Sequence, residues 1–365
     1  MSVSYGGDSI TFADGSVQSG GWNGFRNRII NGAMVIDQRY AGSATASSIA
    51  GYTIDRWSVA QSTTGKIIVQ QNAGSVTPPA GFSKYLGITS QSAFSVGAGE
   101  YYWLHQTIEG NNIADLAWGT ASGVPVTLSF WVRSSLTGTF SGSFRNSNGG
   151  QQLIFTYTIN SANTWEYKTV VIPAPNTGST WTSDNTHGLQ ITWSLGIGTT
   201  YSIGTIGTWS TNTAYASTGS VSVVGTNGAT FYITGVQLER GSTASSFEYR
   251  PYGAELQLCQ RYYQKYTALS GNYVAFGSGR GAGSSTVFCY FKYTTPVRAT
   301  PTLTQSNTGI NNPSQVTVTG FGSVYYGSDG AGVELTSGST TGSGVACLWV
   351  GNNNSSAYVD VSAEL

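Results

Sequence analysis

The sequence predicts an all-β protein: a jelly-roll β-sandwich followed by a short helix and a second, smaller β-sandwich. Three observations predict it. Glycine is abundant, 49 of 365 residues, and aromatic residues make up 13% while charged residues make up only 9%, a composition suited to many short strands joined by tight turns. Short runs of alternating apolar and polar residues recur between Gly-, Ser- and Asn-rich turns, as half-buried strands require. Only one long run free of glycine and proline, 254–265, reads as helix.

The same composition excludes several classes. Disorder requires few aromatics and a high net charge; here the formal net charge is zero. Nucleic-acid binding leaves an electrostatic footprint of clustered Lys and Arg, and no basic run is present. No window reaches 18 consecutive apolar residues, so no membrane insertion is expected. The opening MSVSYGGDSITF has neither the basic nor the apolar region of a signal peptide. Cys259, Cys289 and Cys347 form no CxxC pair and are odd in number, which points to buried free thiols, not to disulfides or a zinc site.

Residues 1–24 stand apart. Ser9-Ile10-Thr11-Phe12 reads as a strand, Asp14-Gly15 as a hairpin turn and Val17-Gln18 as the start of a return strand. One hairpin cannot bury a core alone, so it must lean on another chain or domain.

Residues 25–250 form the first large domain. Ile29, Ile30, Met34 and Ile36 are expected as a strand pair around an Asn31-Gly32 turn. GYTIDRWSV at 51–59 follows, with Asp55-Arg56-Trp57 read as a strand-end ion pair beside a buried tryptophan. Further strands are expected at 66–72, 85–90, 101–109, 125–134, 138–145, 152–159, 165–172, 188–195 and 230–239, with one helical turn at 113–118. About ten strands at these intervals suit a two-sheet jelly roll. No βα alternation and no GxGxxG is present, which argues against a dinucleotide-binding domain. In the last of these strands Phe231, Ile233 and Val236 are interrupted by Gly235, and an interior glycine marks a bulge or a close backbone approach.

Arg250-Pro251-Tyr252-Gly253 breaks the chain. Leu256, Cys259 and Tyr263 then recur at helical spacing, so 251–266 reads as a helical linker. The second domain, 267–365, has strand candidates at 274–276, 285–292, 301–306, 315–320, 333–335, 345–350 and 357–361.

Catalytic chemistry finds little support. There are two histidines, His105 and His187, and no GxSxG surrounds a serine. Glu100, Glu109, Asp115, Glu166 and Asp184 could supply a glycosidase pair, but none sits in a distinctive motif, and the repeats of a parallel β-helix are missing. The expectation is a protein that is not an enzyme. Sugar binding fits better, because an aromatic face stacks on the apolar face of a pyranose while polar neighbours bond its hydroxyls. In LSFWVRS at 128–134, Leu128, Phe130 and Val132 face one side, and Ser129, Trp131 and Arg133 the other. Trp131 and Arg133 are therefore the candidate saccharide platform. Trp103 and His105, which share one face of the 101–109 strand, line the same surface if the two strands are neighbours. The alternative is that loops or another subunit cover that face and Trp131 is simply packed. Trp193 shares parity with Ile191 and Leu195 and reads as core.

A resemblance to a known family runs through the chain in pieces. SITFADGSVQSG resembles a hairpin common near the N-termini of tailed-phage fibre proteins. RIINGAMV and FYITGVQLE resemble the opening and closing of a carbohydrate-binding-module-like jelly roll. FYITGVQLERGSTASSFEYRPYGAELQLCQRYY resembles the join found in phage tail fibre and minor tail proteins, and FKYTTPVRATPTLT and AYVDVSAEL resemble parts of their terminal tip domain. The run Y-T-x-D-R-W is a hallmark of that fold, which assigns Asp55-Arg56-Trp57 to structure. The resemblance implies a virion appendage, made in the host cytoplasm, that binds host surface polysaccharide non-covalently during adsorption. It further implies attachment to other virion proteins through residues 1–24 and assembly as a homotrimer. A purely structural virion role is the alternative, and a polysaccharide depolymerase a more distant one. Related modules often carry a structural calcium. Here Ala33-Met34 follow Asn31-Gly32 and Thr234-Gly235 replaces the expected Asp, a departure that weakens the case for the ion. No other cofactor is expected.

Overall fold

The computed structural model describes residues 25–147, 150–268, 274–312, 314–338 and 342–365, and the backbone of three short strands before them. The chain divides into two compact units, Met1–Tyr252 with Leu365, and Gly253–Glu364. In the first unit, strands Ser4–Gly6, Ser9–Thr11 and Val17–Ser19 form a small antiparallel sheet in which Ile10 pairs with Gln18. The hairpin thus gains a third strand. Its expected turn at Asp14-Gly15, and Phe12, lie outside the described residues.

The body of the first unit is a sandwich of two antiparallel sheets, as the sequence predicts. In one, the strand order from edge to edge is Gln152–Ile159, Gly138–Asn146, His187–Ile197, Tyr101–Glu109, Ser58–Gln61 and Gly51–Tyr52. In the other it is Glu166–Ile172, Val126–Ser134, Thr230–Arg240, Leu86–Ser90 and Ile67–Gln71. Alternate residues of both sheets meet between them. Leu104, Phe140, Phe144, Ile191 and Trp193 come from the first sheet, and Leu128, Phe130, Val132, Phe231 and Ile233 from the second, all inaccessible to solvent. The rings lock at defined angles; Phe130 meets Trp193 edge-on at 5.8 Å, and Trp57 meets it at 5.5 Å. Edge contacts of this kind add to the stabilisation from burial.

The opening of the domain differs from expectation. Residues 29–36 form turns and not a strand pair. Asn31 and Met34 take left-handed backbone angles (φ 58° and 59°), incompatible with a pleated ladder. Tertiary hydrogen bonds replace the ladder. The Asn31 side chain donates to the carbonyls of Ile36 and Asp55 and accepts from the Ile36 amide, while the Trp57 indole donates to the Asn31 carbonyl. The Val236 amide donates to the Gly32 carbonyl at 2.9 Å, so the opening and closing segments meet directly. The Asp55 carboxylate accepts from the Gln38 amide and side chain, and Arg56, 1% exposed at φ 69°, donates to the Thr107 carbonyl. Asp55-Arg56-Trp57 is accordingly built into the framework.

At the sheet edge, Glu166–Ile172 alternates. Tyr167, Thr169 and Val171 point outward, and Glu166, Lys168, Val170 and Ile172 point toward the core. Lys168 is held there by Glu166 at 2.6 Å.

In the second unit the helix is shorter than expected, Tyr252–Gln260, and buries Glu255 and Cys259. Tyr263–Thr267 is a strand paired to Tyr358–Ser362. Its aromatic residues favour a pleated, half-buried position, and pairing with the C-terminal strand overrides helical spacing. That strand lies in a three-stranded sheet with Tyr358–Ser362 and Thr302–Ser306. Six other strands close into a barrel in the order Ala275–Gly281, Thr286–Lys292, Gly330–Ser337, Ser314–Tyr326, Gly309–Asn312 and Ala346–Val350, where the sequence reading expected a small two-sheet sandwich. Closure removes free edges, and Trp349, Phe291, Leu335 and Val361 share one core. The three cysteines are buried, and none is joined to another by a disulfide.

Candidate functional site

One recess on the described surface begins with a backbone irregularity. Between Thr234 and Gln237 the pairing of Thr230–Arg240 with Val126–Ser134 slips. Before the slip Phe231 and Ile233 face the core; after it Val236 and Leu238 do. Gly235 absorbs the extra residue at φ 61°, as a bulge requires. A Cβ at this position would lie 2.6 Å from the Phe82 ring and 3.1 Å from the Trp131 ring. The glycine is therefore needed twice, for the backbone angle and for the close approach of two aromatic side chains.

Around it opens a groove of about 560 Å³ on the outer face of the five-stranded sheet. Trp131 and Tyr167 are direct cross-strand neighbours with ring centroids 5.3 Å apart. Phe82, Phe247 and Tyr249 form the opposite wall, mutually in contact at 4.9 to 5.4 Å. Tyr167 and Tyr249 are 43% and 57% exposed, large values for aromatic rings. Ser129, Ser245 and Ser246 supply hydroxyls along the same groove.

The wall is held by a hydrogen-bonded clamp. Gln237 and Glu239 point to the outer face and are buried there. The Glu239 carboxylate accepts from the Ser245 amide at 2.8 Å and the Ser245 hydroxyl at 2.7 Å, and the Gln237 side-chain oxygen Oε1 accepts from the Glu248 backbone amide at 2.8 Å. The Tyr249 hydroxyl donates to the Gly81 carbonyl at 2.8 Å, tying the two wall segments together. Preorganisation of this kind lowers the cost of ordering side chains on binding.

Of the four residues singled out from sequence, Trp131 lines this groove. Arg133 shares its face but is engaged one row away: Nε donates to the Asn163 carbonyl at 2.9 Å, and the guanidinium lies 5.5 Å from the centre of the Tyr232 ring. Trp103 and His105 do not join them. Their strand belongs to the six-stranded sheet, so their outer face is on the opposite side of the sandwich. There Trp103 stacks between Tyr101 at 4.5 Å and Tyr215 at 4.2 Å and is 8% exposed, with Arg145 over the Tyr215 ring. Both faces of this indole are already covered. Burial, followed by the neighbouring His187 and Arg56, lowers His105 to about 4; burial and Arg145 lower His187 to about 4. Both imidazoles are neutral at neutral pH.

Phe82, Tyr167, Phe247 and Tyr249 escaped the sequence reading. Tyr167 carries a usable signal, since it alternates outward in EYKTVVI. The others come from turn regions, where no periodicity marks a face. For the calcium considered from sequence, the fit is poor. Among the described residues no three His, Cys, Asp or Glu side chains converge, and the Asn27 side chain, which bridges the Val236 carbonyl and the Leu238 amide, occupies the junction of opening and closing segments.

No family model matches the chain, and no curated protein matches it. Solved structures give distant likenesses. The chain is similar to the enzymatically active domain of bacteriophage CBA120 tailspike protein 4 (16% identity, TM-score 0.32), over 59% of this chain and only 21% of that one. It is also similar to the carbohydrate-binding module TmCBM61 in complex with β-1,4-galactotriose (12% identity, TM-score 0.31, 59% of this chain and 99% of the module). A third is the family 11 carbohydrate-binding module from Clostridium thermocellum, in complex with a β-1,3-1,4-mixed-linked tetrasaccharide (13% identity, TM-score 0.27, 55% and 100%). Likenesses this distant carry no argument about what the groove binds.

Proposed function

We propose that the protein binds a saccharide non-covalently through the groove around Trp131, and that it does so as a tailed-phage virion appendage adsorbing to host surface glycan. One observation carries the binding step: five aromatic rings from four separate segments converge on an open groove edged by serine hydroxyls. Aromatic faces meet the apolar face of a sugar ring, and hydroxyls bond its polar rim. The act is recognition without bond cleavage. The viral setting rests on the order of the sequence resemblances, from N-terminal hairpin to C-terminal tip. In that setting residues 1–24 attach to other virion proteins. A homotrimer presents three weak sites together, which raises avidity without new contacts.

The test is a glycan array and host-cell adsorption assay on the full chain, with Trp131→Ala beside it. Saturable binding that competes with infection is expected. Trp131→Ala should weaken it by more than about tenfold, with stability held within about 1 kcal/mol because the ring is only half-buried. Absence of binding to cells and glycans, or a variant that unfolds, would overturn the proposal.

A further inference from the structure

We infer that the groove takes an uncharged sugar and rejects acidic ones. This rests on the saccharide reading above. The residues lining the groove carry rings and hydroxyls but no carboxylate, ammonium, guanidinium or imidazole. A sugar carboxylate placed there would give up its hydration without a cation to meet it, and desolvating an unpaired charge is costly.

A second observation sharpens the point. Immediately behind Ser245 lies Glu239, 5% exposed. Its carboxylate receives the Ser245 amide and hydroxyl and the Gln237 side-chain amide, at 2.7 to 2.8 Å. These donors are all neutral; among the described residues no Lys, Arg or His forms an ion pair with Glu239. A buried carboxylate therefore stands one hydrogen bond behind the groove lining with no ion-pair partner among the described residues. At 5% exposure this carboxylate is less screened by solvent than one on the open surface. The same carboxylate fixes the segment carrying Phe247 and Tyr249. Glu239 is thus a positioning residue for the aromatic wall and a source of repulsion toward anions.

The experiment is a glycan array of neutral hexose oligomers, each printed beside its C6-oxidised uronate counterpart, probed with the full chain at low and high salt. Binding to neutral members should be saturable, dependent on Trp131 and unchanged by salt, while the uronates bind at least about tenfold more weakly. Glu239→Gln keeps the side chain's size and removes its charge. It also loosens the clamp on the aromatic wall, which weakens neutral and acidic members alike, so the readout is the ratio of their affinities on the same variant, and that ratio should fall toward one. Uronates bound through Trp131 as tightly as their neutral partners would overturn this inference and leave the saccharide reading standing. No Trp131-dependent binding to any sugar would overturn both. If Glu239→Gln fails to fold, the neutral-against-acidic comparison on the unaltered protein decides alone.

Discussion

Gly235→Ala is the sharpest perturbation of the site, because its effect can be worked out from two independent costs. At φ 61° an alanine gives up roughly 1 kcal/mol or more relative to glycine. The added methyl would also sit 2.6 Å from the Phe82 ring and 3.1 Å from that of Trp131, and overpacking of this severity costs about 1–3 kcal/mol. The sum is about 2–4 kcal/mol, or roughly 4–16 °C in the melting transition of a unit this size. Urea denaturation followed by tryptophan fluorescence measures it. Because Phe82 is half-buried and can swing aside, part of the strain should appear as a displaced groove wall, so sugar binding falls in the folded variant. Gly235→Asn separates the two costs. Asparagine tolerates the left-handed angle yet keeps the Cβ, so it should recover only the backbone share. Phe82→Ala in the alanine background should recover the steric share and show coupling in a double-mutant cycle. A Gly235→Ala protein within about 0.5 kcal/mol of the parent would refute the bulge argument.

Gly32→Ala places a methyl 2.2 Å from the Val236 carbonyl oxygen. Backbone cannot swing aside as a ring can, so a loss of about 2–4 kcal/mol is expected, and an unfolding midpoint matching the parent would contradict the packing of opening against closing segment. His105 and His187, lowered to about 4 when folded, bind protons more readily once unfolded, where the ordinary value is about 6.5. Stability should therefore decline as pH falls from about 6.5 to 4, by about 1–3 kcal/mol per histidine, and the double variant His105→Gln, His187→Gln should flatten that decline in a pH series of urea melts. Burial raises the Glu166 carboxyl, but Lys168 and the Ser161 and Asn160 donors outweigh it and hold it at about 2. Its contribution is present above about 4.5 and lost on further acidification toward 2, so Lys168→Met should cost stability above pH 4.5, and in the same pH series its deficit against the parent should shrink as the pH falls toward 2, with the histidine window unaltered.

The sandwich was legible because its signal is local. Alternation in LSFWVRS places Leu128, Phe130 and Val132 in the core without any knowledge of partners, and the change of phase from Phe231 and Ile233 to Val236 across Gly235 announces a bulge. What alternation cannot say is which sheet a strand joins. Trp103 and Trp131 both read as outward-facing tryptophans; pairing with His187–Ile197 sends one to the six-stranded sheet, and pairing with Thr230–Arg240 the other to the five-stranded sheet. Residues 29–36 failed for a different reason. Their apolar residues do enter the core, but through turns whose hydrogen bonds are made by Asn31 and by distant backbone. The groove wall was hidden for the same cause, since Phe82 and Tyr249 meet only because the Tyr249 hydroxyl reaches the Gly81 carbonyl, 168 residues away in sequence.

The inward-pointing Lys168 on the sheet's edge has a consequence for crowded assemblies. An exposed strand edge is a template for a further strand from another molecule. Here a docking strand would have to close over the Lys168–Glu166 ion pair, whose side chains keep 14% exposure, and stripping that remaining hydration opposes the addition. The strand that supplies Tyr167 to the groove is in this way protected from being zipped to a neighbour. Copies of the protein packed side by side would keep their aromatic grooves separate and open to solvent.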